Sequence, residues 1–432
     1  MIKNRLTTTV AGLKNGSLDL HQYLDGLCDL IDARDSDLQA FIAEPCRRSR
    51  LHGDAEALQS QFPDSSDLPP LYGVPVGVKD LYRVKGFPTK AGSRLPAEVF
   101  SGQEASCIGK LRALGGLILG KLVTTEFASR PPGPTRNPHN VRHTPGGSSS
   151  GSAAAVAAGY CPLAFGTQTV GSTIRPAAFC GVVGFKPSLG RIPIDGIVPF
   201  SPSSDHVGLF TQDAPSMRLA ASALIDDWRP ARDRNRVPTL GIPEGAYLNQ
   251  IPSDSMTAFE AQVESLKRRG HQVKRVAALG NIEVIRQQHR ILVDAEFAMV
   301  HKDWFGEYGA LYAESSQELV TRGQQISETQ RAEALATRHS LREELHRLMD
   351  SHDIDLWISP SALGPAPQGL LTGDPAMNLV WTCAGMPVTT IPSGNAANGL
   401  PLGLQIVSRF MNDEELLSWA EGLETALDYP GV

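Results

Sequence analysis

The chain has 432 residues, 41% of them hydrophobic and 20% charged, a balance typical of a globular protein with a sizeable buried core. Its formal net charge of −6 and the lack of a basic stripe argue against a nucleic-acid partner. The six cysteines are scattered and no apolar run reaches the roughly 18 residues of a membrane span, so neither a disulfide scaffold nor a membrane protein is expected. The polar N-terminus has no signal-peptide pattern, which favours the cytoplasm.

Helical and strand patterns alternate along the chain. Residues 1–65 form a predicted N-terminal helical segment, 66–230 a core of buried strands and short helices, 231–350 a variable and mostly helical region, and 351–432 a C-terminal part that returns to the sheet. This alternation predicts an α/β fold with a central mixed β-sheet covered by helices on both faces. Because no linker divides the chain, we expect one large domain over residues 1–432.

Several elements follow from apolar periodicity and from the residues that end it. The apolar run 114–120 predicts a strand, and the alanine-rich run 152–158 predicts a helix that ends at Gly159. Residues 255–269 have apolar side chains at helical spacing, so a helix is expected there. A final amphipathic helix is predicted over residues 414–427.

Two familiar motifs fail on their sequence context. Gly147, Ser149 and Gly151 match the Gly-x-Ser-x-Gly pattern of a nucleophile elbow, but the residues before them cannot form the strand that the elbow requires. Residues 115–121 resemble a phosphate-binding loop, yet Leu122 stands where a magnesium-binding hydroxyl belongs. Neither motif is interpreted as a site.

Two loops of small and hydroxylated residues, 145–159 and 166–176, lie in a stretch that is otherwise apolar. Such a concentration of hydroxyls and bare backbone N–H groups is what an acyl-transfer site needs. Upstream, Lys79 ends the apolar run 73–78, and burial of its amine would lower its pKa, so that it could act as a base. The structural alternative is that Lys79 snorkels to the surface or pairs with Asp80.

These three segments together resemble the amidase signature family. The lysine motif stands here as Gly-Val-Pro-Val-Gly-Val-Lys79-Asp, the glycine-serine motif as Gly-Gly-Ser148-Ser-Ser-Gly-Ser, and the nucleophile loop as Gly-Thr-Gln-Thr-Val-Gly-Ser172. Further similar stretches extend the resemblance over residues 66–220 and 354–427. The resemblance implies a single amidase-type domain with the α/β fold predicted above.

The resemblance also implies a catalytic triad. Ser172 is the expected nucleophile, Lys79 the neutral base, and Ser148 the bridging residue that follows a cis peptide bond and relays the proton. The oxyanion of the tetrahedral intermediate is expected to bind four backbone N–H groups, those of Thr169, Val170, Gly171 and Ser172. No metal ion and no organic cofactor is expected.

Three residues depart from the commonest family pattern, and two of them, Gln168 and Arg175, point to one branch. Gln168 replaces the usual aspartate, Val170 replaces a glycine, and Arg175 follows the nucleophile by three residues rather than two. This arrangement resembles malonamidase-type amidases, in which the arginine binds a substrate carboxylate. Arg175 and Gln168 are therefore the expected substrate-binding residues. For Arg175, a structural arginine that bridges loops is the open alternative.

The expected function is hydrolysis of a small carboxamide to the acid and ammonia through an acyl-serine intermediate, with a carboxylate-bearing amide such as malonamate as the candidate substrate. Two alternatives stay open: the amidase subunit of an ammonia-channelling aminoacyl-tRNA amidotransferase, and a non-enzymatic scaffold with the same fold. The expected partner is a small-molecule amide, with no nucleic acid and no membrane, and homodimer formation stays open. The pocket walls are expected from the first sixty residues, the 281–350 helices and the 360–382 loop.

Overall fold

The computed structural model describes residues 2–64, 67–231 and 236–427. Its strands are β1 (Pro75–Lys79), β2 (Leu117–Leu122), β3 (Leu163–Gln168), β4 (Val183–Lys186), β5 (His206–Thr211), β6 (Leu240–Glu244), β7 (Val273–Ala277), β8 (Leu356–Pro360), β9 (Val388–Asn395) and β10 (Pro401–Val407). They form one ten-stranded sheet in the order β2-β1-β3-β5-β4-β9-β10-β8-β6-β7. The sheet is mixed, because both ends are parallel (β2-β1-β3 and β8-β6-β7) and the pairs between β3 and β8 are antiparallel.

Helices cover both faces of this sheet, as the alternation of elements predicts. They are α1 (Leu6–Asn15), α2 (Leu20–Leu38), α3 (Arg47–Gln61), α4 (Ser106–Ala113), α5 (Ser150–Ala157), α6 (Ile174–Cys180), α7 (Ala214–Leu224), α8 (Ser253–Arg268), α9 (Ile282–Val300), α10 (Lys302–Tyr308), α11 (Glu314–Gln324), α12 (Glu328–Ser351), α13 (Leu379–Cys383) and α14 (Asp413–Leu427). Every residue of β1, β2, β3 and β5 is buried, so these strands are mostly apolar rather than alternating, and their polar residues, such as Lys79 and Gln168, are buried as well.

The predicted helices over residues 255–269 and 414–427 are confirmed as α8 and α14. The strand predicted over residues 114–120 begins later, at Leu117, because Gly115 forms a turn with φ +86°. A side chain there would meet Pro69 and the backbone of Tyr72, so this glycine is required by close packing. Because β2 then runs through the phosphate-loop-like segment, the rejection of that motif is confirmed.

The helix that follows the glycine-serine loop packs closely on the sheet. All residues of α5 are buried, and this helix contacts β1, β2 and β3. Its small side chains permit this approach: a Cβ at Gly151 would lie only 2.4 Å from the carbonyl oxygen of Ala40. The loop before α5 is therefore held within the folded core and is not a flexible linker.

The topology brings the three motifs of the sequence to one edge of the sheet. β1 and β3 are parallel neighbours, so Lys79 and Gln168, the last residues of each, lie at the same edge. The glycine-serine loop enters α5 beside them, and the nucleophile loop leaves β3 for α6. Within the described residues, no helix combines the length and apolarity needed to cross a membrane.

Candidate active site

Lys79 lies at the centre of a group of hydroxyls. Its side chain is fully buried, with Nζ 2.8 Å from Ser148 Oγ, 3.0 Å from Ser149 Oγ and 2.8 Å from Thr167 Oγ1. The serines come from the loop directly before α5 and the threonine from β3, so the amine is held from two sides. The alternative pairing with Asp80 is wrong, because that carboxylate lies 2.8 Å from Lys121.

Burial favours the neutral form of this amine. Desolvation lowers the pKa of Lys79 well below its ordinary value, and the negative charge of Asp205 opposes that shift. The hydroxyl of Ser149 donates to the carbonyl oxygen of Thr167 (3.1 Å), so this oxygen can only accept from the lysine. A neutral amine has one lone pair, which is then free to accept a proton from Ser148.

The glycine-serine loop is held in an unusual backbone conformation. The peptide bond between Gly147 and Ser148 is cis, as the resemblance implies. The carbonyl oxygen of Gly147 accepts from Arg175 Nη2 at 2.6 Å, and that of Ser148 accepts from the N–H of Thr125 at 3.3 Å. Both peptide units at the bridging serine are therefore tied to neighbouring segments.

Ser172 lies in the loop between β3 and α6, directly against the glycine-serine loop. The N–H of Ser149 donates to the carbonyl oxygen of Ser172 at 3.4 Å, which joins the two loops. Ser172 is 9% exposed, against 2% for Ser148 and none for Lys79. The expected nucleophile is thus the member of the set that solvent, and hence a small substrate, reaches most easily.

The backbone before Ser172 is anchored through its carbonyl oxygens. The carbonyl of Thr169 accepts from His289 Nε2 at 3.0 Å, and that of Val170 accepts from Thr382 Oγ1 at 2.7 Å. In a trans peptide the N–H points away from the C=O, so the N–H groups of Val170 and Gly171 point to the opposite side. Neither N–H has a hydrogen-bond partner within the described part of the chain. This is the arrangement expected of an oxyanion cradle.

The buried carboxylate of Asp205 anchors the same loop through the side chain of Thr169. Thr169 Oγ1 donates to Asp205 at 2.5 Å, and the other carboxylate oxygen accepts from the N–H groups of Phe200 and Ser201. Burial raises the pKa of Asp205 to about 7, and these hydrogen bonds oppose that rise. Asp205 therefore anchors the oxyanion loop and places a titratable charge near Lys79.

Gln168 is expected at the substrate, but both ends of its amide are occupied within the protein. Its Oε1 accepts from the N–H groups of Thr173 and Ile174 at 2.8 and 3.0 Å, and its Nε2 donates to Thr382 Oγ1 at 2.9 Å. The first turn of α6 has backbone N–H groups without partners in the helix, and this fully buried side chain satisfies them. The geometry gives Gln168 a supporting place rather than a substrate-contacting one.

Arg175 is buried, and two of its nitrogens bridge loops. Nε donates to the carbonyl oxygen of Thr372 (2.7 Å) and Nη2 to that of Gly147, whereas Nη1 has no partner among the described residues. Nη1 lies beside Gly171, where a Cβ would be 3.1 Å from it and 2.6 Å from the equally unpartnered Asn378 Oδ1. Burial lowers the pKa of Arg175 to about 10, so the guanidinium stays charged at neutral pH. The bridging alternative thus accounts for two nitrogens, and Nη1 is left for a ligand.

An open cavity of about 650 Å³ lies beside the oxyanion loop. Its lining residues are Arg130, Val170, Gln250, Arg286, His289, Arg290, Val293, Leu363, Asp374, Pro375, Ala376 and Leu379. The 281–350 helices and the 360–382 loop contribute to its walls as expected. The expectation for the first sixty residues is wrong for this cavity, because α1 to α3 supply none of its lining.

Sequence reasoning does not identify Asp205, His289 or Asn378. None of them stands in a motif, and each reaches the site from a distant segment: the start of β5, the middle of α9 and the turn before α13. Thr167 and Ser149 are visible as hydroxyls within the two loops, so their position next to Lys79 could have been anticipated. The fold alone brings the other three together.

Comparisons with known proteins agree with this geometry. A family model described as Amidase matches residues 23–417. Curated relatives, each named as a subunit of glutamyl-tRNA(Gln) amidotransferase, include those of Koribacter versatilis, 29% identical over 92% of this chain and 93% of that protein, and of Anaeromyxobacter sp. (strain K), 31% identical over 96% and 95%. These names give no support to the finer resemblance to malonamidases.

Solved structures match over nearly the whole chain. One described as the crystal structure of an amidase has 29% identity and a TM-score of 0.88, and covers 98% of this chain and 99% of its own. The native peptide amidase from Stenotrophomonas maltophilia has 25% identity and a TM-score of 0.85, with 98% and 96% covered. The large α/β domain and its ten-stranded sheet are thus shared with amide-hydrolysing enzymes.

Proposed function

The chain belongs to the amidase family, and from this premise we propose that it hydrolyses a small carboxamide to the acid and ammonia through an acyl-Ser172 intermediate. The observation that carries the proposal is the buried Lys79 amine, 2.8 Å from Ser148 Oγ and beside the loop of Ser172. Among the residues that the structure describes, no carboxylate contacts this buried amine, which makes its charged form costly. As a neutral base it has a chemical use, which a scaffold without activity would lack.

The first half of the reaction forms the acyl-enzyme. Ser172 Oγ attacks the carbonyl carbon while its proton passes to Ser148 Oγ and the proton of Ser148 passes to Lys79 Nζ. When the C–N bond breaks, Ser148 gives its proton to the leaving amine and regains one from Lys79. Ammonia leaves, Ser172 carries the acyl group, and Lys79 is neutral again.

The second half repeats this path with water as the nucleophile. A water molecule attacks the acyl carbon, its proton passes through Ser148 to Lys79, and the returning proton restores the hydroxyl of Ser172. In both halves the N–H groups of Val170 and Gly171 face the developing oxyanion. Removal of one such donor typically costs about 10²- to 10³-fold in rate.

Arg175 would assist at the acyl side of the substrate. Its Nη1 and Asn378 Oδ1 are a donor and an acceptor without partners among the described residues, both beside Gly171. A polar substituent close to the scissile carbonyl would satisfy the two together, and this is the substrate contact that we assign to Arg175.

Ammonia release from a panel of neutral and carboxylated amides tests the proposal. We expect turnover of at least one amide, loss of turnover in Ser172→Ala, and an acyl adduct on Ser172 that mass spectrometry detects in the wild-type protein only. Ser172→Thr is the matched control for the hydroxyl. An adduct that persists in Ser172→Ala would remove this residue from the mechanism, and inertness toward every amide and ester would refute the function.

A second candidate is an amidase subunit that passes ammonia to a partner protein. The observation that favours it is the name of the curated relatives, which are subunits of glutamyl-tRNA(Gln) amidotransferase and match this chain over almost their full length. Glutamine would then be the amide that is cleaved. Faster turnover of simple amides than of glutamine by the purified chain alone would refute this second function. Hydrolysis of glutamine only in the presence of a partner protein would support it.

A further inference from the structure

The cavity beside the oxyanion loop has an uneven distribution of charge. Three arginines line it, Arg130, Arg286 and Arg290, and they face a single carboxylate, that of Asp374. The chain as a whole carries a formal net charge of −6, so a positive cavity is a local feature and not a reflection of composition. A cleft lined by one sign of charge concentrates ligands of the opposite sign.

The cavity adjoins the reacting centre. Val170, two residues before the expected nucleophile, forms part of its wall. Pro375, another wall residue, has its Cβ 3.0 Å from the position that a Cβ at Gly171 would take. A substrate whose amide carbon reaches Ser172 would therefore extend past these two residues into the cavity.

The arginines are only weakly neutralised by the protein itself. Arg286 pairs with Glu283 at 2.7 Å on the surface of α9, and Arg290 lies 3.8 Å from Asp294, a carboxylate that Arg322 approaches more closely at 3.0 Å. Arg130 is exposed and has no ion pair within the described ranges. Because Arg286 and Arg290 are four residues apart, they stand on one face of the helix.

We propose that this cavity binds the anionic end of an elongated substrate, a carboxylate separated from the scissile carboxamide by several carbon atoms. The inference rests on the proposed amidohydrolase function and names the substrate class for that site. The volume supports it, because about 650 Å³ lies within the range of roughly 300–1,000 Å³ that holds drug-sized ligands, far more than a three-carbon amide needs. The arginines of the wall would favour an anionic group, and the volume leaves room for a carbon chain between that group and the scissile amide.

Matched pairs of substrates test this selection. The monoamide of a six-carbon dicarboxylic acid and hexanamide have the same chain length and differ in the terminal charge. We expect a higher kcat/KM for the carboxylated member, and the ratio of the two values should fall by about five-fold in each of Arg130→Gln, Arg286→Gln and Arg290→Gln, the effect of one partly exposed ion pair. Added salt should lower the same ratio in the wild-type enzyme.

The chain offers a matched control for Arg286. Arg331 on α12 is 24% exposed and pairs with Glu328 three residues before it, as Arg286, 26% exposed, pairs with Glu283; Arg331 also lies 3.7 Å from Glu296. Arg331 does not line the cavity. We expect Arg331→Gln to keep the wild-type ratio, and an equal fall in this control and in Arg286→Gln would overturn the proposal.

Binding to the inactive protein separates this inference from the proposed function. With Ser172→Ala, calorimetry should show tighter binding of the six-carbon monoamide than of hexanamide, with a difference that shrinks in the Arg286→Gln background. If the wild type cleaves no amide but this difference is found, the function fails and the anionic subsite stands. If hexanamide is cleaved and the two ligands bind equally, the subsite is wrong and the function stands.

Discussion

The residues that we propose to perform the chemistry are sealed inside the fold, whereas those that we propose to face the substrate lie nearer to the surface. Lys79 and Ser148 are at most 2% exposed and are fixed by β1, β3 and the start of α5, whereas the side chain of Arg290 on α9 is 67% exposed. Proton transfer needs fixed distances and a dry environment. Selection of a substrate by long-range charge needs neither.

The arginines show the same difference within one residue type. Arg175 is buried and donates to two backbone carbonyl oxygens, one of them that of Gly147 next to the bridging serine. Its guanidinium therefore holds the loops of the site in place. Arg286 and Arg290 extend from α9 toward carboxylates of the same helix, Glu283 and Asp294, and their side chains are 26% and 67% exposed. A change in the buried part should therefore alter the rate on every substrate, and a change in the exposed part should alter the preference among substrates.

Removal of the buried amine should have the largest effect. Lys79→Met keeps the length and apolar packing of the side chain and deletes the base, so we expect kcat to fall by about 10³- to 10⁴-fold on neutral and carboxylated amides alike. Ammonia release under saturating substrate measures this, and circular dichroism checks that the variant folds. A loss confined to carboxylated amides would contradict the assignment of Lys79 to the sealed part.

The pH profile of the wild-type enzyme sharpens the same point. Desolvation lowers the pKa of Lys79, so the neutral base is present above that lowered pKa and is lost as the pH falls through it. We expect kcat/KM to fall about ten-fold per pH unit below that lowered pKa and to level off well before the ordinary pKa of a lysine is reached. A profile that keeps rising to the ordinary pKa of lysine would show that the amine is charged at neutral pH.

Addition of a methyl group at Gly171, in the oxyanion loop, should have the next largest effect on kcat. In Gly171→Ala the new Cβ would lie 2.6 Å from Asn378 Oδ1 and 3.0 Å from Pro375 Cβ, so the loop must shift and its N–H groups move with it. We expect kcat to fall by about 10²-fold, as when one oxyanion donor is lost, with folding intact. Gly190→Ala, where nothing lies near the added carbon, controls for glycine replacement as such, although its φ of +80° costs some stability.

The sealed part is also the part that can be predicted from the sequence. Its residues lie in contiguous motifs, so that the sequence points to Lys79, Ser148 and Ser172, and the cis bond and the buried strands agree with the structure. Gln168 lies in the same motif, but its hydrogen bonds to the first turn of α6 cannot be foreseen from the sequence, because the need of α6 for an acceptor is a feature of the fold. The arginines of α9 resemble ordinary surface charges in the sequence, because helical periodicity does not show which face meets a cavity.

Replacement of the buried Arg175 by lysine should have an intermediate effect on kcat. Arg175→Lys keeps the charge but cannot donate to Gly147 and Thr372 together, since an ammonium lacks the planar fork of a guanidinium. We expect kcat to fall about ten-fold on hexanamide as well as on its carboxylated partner, a loss near the lower end of the range for one charged hydrogen bond. A loss that spares hexanamide would mean that Arg175 acts only on the substrate carboxylate, and the two parts of the site would then be less distinct.

The smallest effect should come from the anchor below the loop. Thr169→Val is nearly isosteric and removes the hydrogen bond to Asp205, so we expect a three- to ten-fold lower kcat, about the effect of one net hydrogen bond. That bond opposes the rise in the pKa of Asp205, so its loss should raise this pKa further above about 7 and leave the carboxyl more often neutral. Since the charge of Asp205 favours protonated Lys79, the acid limb of kcat/KM should move to lower pH. If Asp205 only anchors the loop, Thr169→Val should lower kcat and leave the acid limb of kcat/KM in place. A shift of this limb to lower pH would show that the charge of Asp205 also tunes the pKa of Lys79.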